Sequence, residues 1–534
     1  MRTLTLLSAA CLTGGFLHSA LRAGPIGDTA RPGRHIKLTA DDHRGADSFK
    51  AGQPIIGATY FYSYDVYSGA GMIDPDGTDA LTTHPPRSDM DDFSYRSVAW
   101  HRRQLQDISS AGIDFIMPVY SEVPGRSDPW SVVGLKAFVE AHQQTQTDFA
   151  NDLTRYRPPK IAMFYNTAAL TDPRRAAPVD LTTPEGQERF YVTIRDFFSL
   201  VPPSTWARID GEPIVFLAPI RPGTAVGETL LDDVHERFQA DFATDLFLVR
   251  HEDWPCRADA WYIWGGAKGL KMGDHVAALG PGYDDSGMYG RTATVVDRRR
   301  GAFYGHQWER LLCIHPQHRP WIVHVETWNN FYEGTNIARS QEANDLYMKA
   351  TSKFGQVFHA GYRLDPHGPY VNARQVRWTA RCVGGMQLQP SAGDGCWQRT
   401  EIDQSPAVVS VAGEDQSPDR YLYFDIDDSC VFGDADLAAE LTVVFRDDGG
   451  CERFRIDYDS SDFASGPRGG ALRPTRYVTV GRTGTWRSVC LQLPDVWFCN
   501  RADGADWRIA VEGGDQRLTA REAIVRKLAG KLKS

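Results

Sequence analysis

Carboxylate and aromatic side chains gather at the ends of the apolar runs in this chain, and that pairing is where chemistry can first be read. Eight short runs carry it: Ile55–Tyr62, Asp114–Tyr120, Lys160–Tyr165, Pro213–Leu217, Asp245–Arg250, Asp259–Trp264, Val276–Leu279 and Trp321–Val325. At or just past their ends stand Tyr60, Tyr62 and Asp65, then Tyr120 and Glu122, then Tyr165 and Asn166. His251, Glu252, Asp253, Trp254 and Trp264 follow, and then Tyr283, Asp284 and Asp285. Glu326, Trp328, Asn329, Asn330 and Glu333 complete the set. Two carboxylates for proton transfer and attack, beside aromatic faces for the apolar side of sugar rings, are what glycoside hydrolysis needs. Glu326 terminates the apolar run Trp321–Val325, where an unpaired carboxylate would carry a large desolvation cost, so it reads as catalytic or as ion-paired with an arginine. Tyr60, Tyr120 and Trp264 read equally as a packing layer, Asp284-Asp285 as a turn cap, and His251 as a satisfied core histidine. No Gly-x-Ser-x-Gly elbow and no His-Glu-x-x-His motif competes.

The elements that must position these residues alternate. Helical patterns lie over Val132–Gln143, Glu228–Phe242, Phe303–Cys313 and Gln341–Phe354. Another starts at Thr183-Pro184, an N-cap with proline at the first helical position, and sets Phe190, Ile194, Phe197 and Phe198 on one face. Eight strands alternating with helices predict a (β/α)8 TIM barrel over residues 50–356, with functional side chains on the rim where strands end. An open doubly wound sheet is the alternative, and its dinucleotide form lacks the Gly-x-Gly-x-x-Gly fingerprint. Beyond residue 360 Gly, Asp and Ser become frequent and strand patterns take over. The fold class is therefore α/β, a barrel followed by a smaller all-β jelly-roll sandwich at 406–528, with 357–405 as a linking segment.

The chain has 534 residues, 42% of them apolar and 24% charged, enough to bury a core. A net charge of −10 argues against nucleic acid as partner, and no stretch is long and apolar enough to span a membrane. Arg2 and the apolar Leu4–Ala20 read as a signal peptide over residues 1–23, which implies a secreted or periplasmic protein. A lipid anchor at Cys11 is disfavoured because Ser8 stands where an aliphatic residue is expected. Of the other eight cysteines, six lie beyond residue 380 and predict a disulfide-stapled sandwich. Asp425-Ile426-Asp427-Asp428-Ser429 and Asp457-Tyr458-Asp459 are either solvated turn residues or carboxylates for a structural calcium ion. Trp397, Trp486, Trp497 and Trp507 serve the sandwich core more than an exposed sugar platform, so the module is expected to brace the barrel, with glycan binding secondary. A monomer is expected.

The segment Glu326-Thr327-Trp328-Asn329-Asn330-Phe331-Tyr332-Glu333-Gly334-Thr335 resembles the Asn-Glu-Trp-x-Glu-Gly-Thr signature of glycoside hydrolase families 71 and 99 and their uncharacterised bacterial relatives. Gly57–Tyr64 is similar to their first strand, Ala111–Phe115 to their second and Asp210–Phe216 to their fourth. Pro281–Asp285 with Arg298, Gly301, Tyr304 and Trp308 extends the likeness over residues 50–355. The resemblance implies an exported endo-acting glycosidase that needs no cofactor, acting on a polysaccharide or glycan. One departure stands out. Family 99 uses two glutamates three residues apart, and the first falls on Asn330 here. An amide cannot do a carboxylate's proton chemistry, so Glu326 is the candidate replacement, with Asp284 or Asp253 as alternatives. The catalytic pair is thus Glu326 and Glu333, and Tyr60, Tyr62, Asp65, Trp254, Asp284, Trp328 and Asn329 are expected to line the sugar cleft. The other reading is a catalytically inactive carbohydrate-binding protein on the same scaffold.

Overall fold

The structure, a computed structural model, describes residues 32–121, 130–172, 177–413, 420–463 and 468–528. The signal segment 1–23, Cys11 and Glu122 lie outside the described residues. The described residues divide into two compact units, one within 32–309 with 320–362 and the other within 310–319 with 363–528.

In the first unit eight parallel strands form one nearly closed sheet. They are β1 Ile55–Tyr60, β2 Phe115–Tyr120, β3 Met163–Tyr165, β4 Glu212–Leu217, β5 Phe247–His251, β6 Ala260–Tyr262, β7 Val276–Leu279 and β8 Ile322–Val325. Their order is β6-β5-β4-β3-β2-β1-β8-β7, with β8 leading back beside β1, Gly57 opposite His324. Among the described residues no ladder joins β6 to β7, and the segment Gly265–Gly273 occupies the space beside them. Two glycines permit this. A Cβ on Gly266 would stand 2.5 Å from the Ala278 carbonyl carbon, and one on Gly273 would stand 2.2 Å from the Trp261 carbonyl oxygen. Continuous apolar runs suit a parallel sheet covered on both faces, and β1, β2 and β8 are buried throughout.

Among the described residues helices follow six of the eight strands, with none between β5 and β6 or between β6 and β7: α1 Val98–Ser110, α2 Trp130–Ala150, α3 Pro184–Leu200, α4 Leu230–Phe242, α5 Ala302–Cys313 and α6 Leu346–His359. The cap read at Thr183 forms, its hydroxyl accepting the Gly186 N–H at 3.2 Å, and Phe190, Ile194, Phe197 and Phe198 are buried. Ser97 caps α1 in the same way, on the Trp100 N–H at 3.1 Å.

The second unit contains two antiparallel sheets. One holds Thr485–Leu493, Ala438–Asp447 and Thr519–Leu528, with Gln375–Thr379 and Ser405–Ser410 on the far side of the last and Trp397–Ile402 outermost. The other pairs Met386–Leu388, Arg420–Ile426, Trp507–Glu512 and Arg453–Tyr458. Aromatic contacts fill the core: Phe424 stacks on Trp507 at 4.2 Å, and Phe445 meets Phe454 edge-on at 5.0 Å. Gln375–Thr379 and Trp397–Ile402, read from sequence as linking segment, are strands of the first sheet. The disulfide expectation is also corrected. All eight described cysteines are free thiols, Cys382 and Cys490 exposed and Cys256, Cys313, Cys430, Cys451 and Cys499 buried. Cys490 lies on the strand Thr485–Leu493 and Cys382, Cys396, Cys430, Cys451 and Cys499 in separate connections, so closeness in sequence does not pair their sulfurs.

The aspartates considered for calcium divide between two settings. Asp457 is ion-paired with Arg455 at 2.8 Å and Arg508 at 3.0 Å, and Asp459 with Arg501 at 2.7 Å. Asp425 and Asp428 lie near Asp506, and burial raises all three pKa values above the usual carboxylate range. Among the described residues no group of three His, Cys, Asp or Glu side chains is arranged to hold a metal ion, and no helix is long and apolar enough to cross a membrane.

Candidate functional site

The site lies where β6, β7 and β8 end. Parallel register sets His324 of β8 opposite Gly57 of β1 and Ala278 of β7, facing inward. Its ring is enclosed by Phe216 at 5.3 Å, Tyr262 at 5.4 Å, Trp264 at 5.7 Å and Phe164 at 6.1 Å. Burial pushes its pKa down to about 3, so it is neutral, with Nε2 2.6 Å from Thr59 Oγ1. This aromatic packing is the floor of the site.

Glu326 stands two residues further along the chain, on the same face by strand alternation. It is buried, and desolvation pushes its pKa up to about 8 against the opposing pull of the Gly265, Gly266 and Ala267 backbone N–H groups. The Gly265 N–H donates to both carboxyl oxygens, at 2.9 and 3.1 Å. The close approach permitted by Gly266 is what brings this short cradle over the strand end. At neutral pH the group is mainly a protonated acid.

Glu333 lies in the turn after β8, which closes with the Thr327 N–H on the Thr335 carbonyl at 3.0 Å. Its backbone carbonyl accepts the Asp284 N–H at 2.9 Å, fastening the turn to the segment after β7. The Tyr283 hydroxyl donates to Glu333 Oε1 at 3.1 Å, and Asn330 Nδ2 donates to Oε2 at 2.8 Å. Arg291 Nη1 is 3.8 Å from Oε1. Asp285 shares these partners: its Oδ2 lies 3.1 Å from the Tyr283 hydroxyl and 3.2 Å from Arg291 Nη1, while Oδ1 accepts the Thr294 N–H at 2.6 Å. Lys268, directly after the Glu326 cradle, sets its ammonium 3.9 Å over the Tyr283 ring. Glu326 and Glu333 therefore have separate environments, linked through Lys268 and Tyr283. The carboxylate that shares partners with Glu333 is Asp285.

The remaining expected site residues hold the scaffold. Tyr60 is buried on the outer face between α1 and α2, 6.0 Å from Trp100 and 5.2 Å from Phe138, its hydroxyl 2.8 Å from His101 Nδ1. Tyr62 is buried beside it and donates to the Ser131 carbonyl at 2.9 Å. Asp65 accepts the Ser94 hydroxyl at 2.7 Å and the Ser68 hydroxyl at 2.5 Å. Trp254 is buried and donates to the Ala218 carbonyl at 2.9 Å. Trp328 points out to α1, donating to Gln104 Oε1 at 2.8 Å. Asn329 accepts the Phe61 N–H at 2.8 Å and donates to the Phe61 carbonyl at 2.6 Å, joining the end of β1 to the turn after β8. Of the group expected to line the cleft, only Asp284 remains at the site, its carboxylate capping Ser286 at 2.9 Å. Asp253 lies apart, holding His251 Nδ1 at 2.7 Å and the Ile220 N–H at 3.0 Å. Sequence reading passed over Arg291 and the Gly265–Ala267 cradle. Neither carries a local motif: the cradle matters through Glu326, 61 residues away, and Arg291 joins Asp285 of its own segment to Glu333 of the turn after β8.

No curated protein matches the chain. Solved structures do. A family 99 endo-alpha-mannosidase from Bacteroides thetaiotaomicron is 15% identical, with 60% of this chain and 99% of that one covered and a TM-score of 0.40. The C-terminal family 6 carbohydrate-binding module of a marine laminarinase from Zobellia galactanivorans is 11% identical, covering 28% and 98% with a TM-score of 0.18. A C-terminal family 22 carbohydrate-binding module of a Clostridium thermocellum protein is 19% identical, covering 30% and 94% with a TM-score of 0.18. At the level of families, residues 59–353, more than half of the chain, match the model described as "Domain of unknown function (DUF5010)", and the chain belongs to that family.

Proposed function

We propose that the first unit is a (β/α)8-barrel glycoside hydrolase, cleaving bonds within a glycan chain, with Glu326 as general acid and Glu333 as its partner carboxylate. One observation carries this reading. Two glutamates of the same turn sit in opposite environments, Glu326 kept protonated by burial and Glu333 addressed by the donors Tyr283, Asn330 and Arg291. Environments that divide two carboxyl groups in this way assign acid and base roles. Glu326 protonates the leaving oxygen, while Glu333 receives the proton of an attacking nucleophile or stabilises the cationic sugar. Asp285, Tyr283 and Arg291 hold Glu333 in place. The test is release of reducing ends from a panel of soluble polysaccharides. Glu326→Gln and Glu333→Gln are each expected to lose roughly 10²–10⁴-fold in rate. Full activity in both variants rejects the assignment.

Asn330 favours a second reading, because its amide stands where the resemblance expects an acid and is used to hold Glu333. A binding protein without catalysis would retain glycan affinity and release no reducing ends.

A further inference from the structure

Beside the Glu333 group the surface changes character. Tyr289 is 60% exposed and Ile73 59% exposed, both on segments packed around the site. Exposed apolar side chains beside a polar site are candidates for ligand contact. Their placement is built rather than incidental. The Met288 N–H donates to the Asp285 carbonyl at 3.0 Å, so Tyr289 leaves the turn that also carries Asp285 and, two residues on, Arg291. The Tyr289 N–H donates to Asp74 Oδ2 at 3.2 Å, which fastens Tyr289 to the residue after Ile73. Thr82 ties the same segments from below, donating to the Tyr332 carbonyl at 2.6 Å and accepting the Gly287 N–H at 3.3 Å. Phe331–Glu333, Asp285–Arg291 and Ile73–Thr82 are thus joined by hydrogen bonds, with Glu333 buried and Tyr289 exposed.

We propose that Tyr289, fastened through Asp74 beside the exposed Ile73, is a stacking platform for a sugar ring of the substrate chain beyond the ring at the cleaved bond. The ligand it takes is a glycan of several pyranose units rather than a small glycoside. The inference rests on the hydrolase reading and extends it to substrate class. A tyrosine face covers the apolar C–H face of a sugar at little cost in side-chain entropy, and its continuity with Glu333 through Asp285 names the occupant as the same chain whose bond is cut.

The test uses the full chain on mannan, xylan and laminarin, each beside the nitrophenyl disaccharide of the same linkage. On the polymer that the protein cleaves, Tyr289→Ala is expected to raise KM about tenfold with kcat within about twofold, so the preference for polymer over disaccharide falls about tenfold. Tyr289→Trp is expected to restore it, and Leu153→Ala, another exposed apolar position, to leave it unchanged. The platform is overturned if Tyr289→Ala keeps the polymer preference, if it lowers kcat equally on both substrates, or if it dissolves a dimer seen by light scattering. No cleavage of any polymer or disaccharide by the unaltered protein would overturn the hydrolase reading, and the platform with it.

Discussion

Asp285 and Glu333 hold the same phenol: the Tyr283 hydroxyl lies 3.1 Å from Asp285 Oδ2 and 3.1 Å from Glu333 Oε1. One hydroxyl has one proton to give, so it serves the two acceptors in turn. Arg291 supplies the positive charge both acidic groups need, at 3.2 and 3.8 Å. The arrangement holds Glu333 in place through residues of a different segment.

Removing that shared donor tests it. Tyr283→Phe keeps the ring under Lys268 and deletes the hydroxyl, leaving two buried carboxyl groups with one donor fewer. The expected outcome is a loss of about 1–3 kcal/mol in stability, read by chemical denaturation, and at least a tenfold fall in kcat.

Glu326 determines a pH dependence. Its pKa of about 8 lies above the ordinary 4.5, so the folded protein holds this proton more tightly than the unfolded chain does. Its contribution to stability is complete below about pH 4.5 and is lost as pH rises toward 8. Thermal melting of Glu326→Gln is expected to fall less than that of the unaltered protein across this window. Activity that needs the acid form is expected to decline above pH 8.

Asn329→Ala is expected to destabilise by about 2–4 kcal/mol, because it leaves the Phe61 N–H and carbonyl buried without their partner. Thermal melting measures this. A normal melting temperature together with lost glycan affinity would return Asn329 to the cleft.

Tyr60→Phe separates packing from binding. The ring stays against Trp100 and Phe138, and only the bond to His101 is lost. A change of about 1 kcal/mol in stability is expected, with KM unaltered on any substrate the protein cleaves.

Thiol titration checks the cysteines. In the native protein Cys382 and Cys490 are expected to react with a maleimide at once, and the buried Cys256, Cys313, Cys430, Cys451 and Cys499 only after denaturation. Mass analysis without reductant would reveal any bridge.

What the chain determines by itself is the order of its elements. Apolar runs alternating with amphipathic stretches mark the eight strands, and Thr183-Pro184 marks a helix start, because spacing and capping act within a few residues. The Gln375–Thr379 strand was not legible, because its two buried residues among exposed ones leave too short an apolar pattern to separate a strand from a linking segment. The burial of Glu326 was legible, since it ends an apolar run.

Tertiary structure decided the rest. Tyr60 and Trp328 face the helices rather than the site, and sequence could not say so, because a parallel sheet covered on both sides is apolar on both and alternation loses its inward sense. The partnership of Asp285 with Glu333 and the cradle under Glu326 join residues from different βα loops. Local propensity sets where each loop begins, but the curl of the nearly closed sheet sets which loops meet, and that is where the candidate site is assembled.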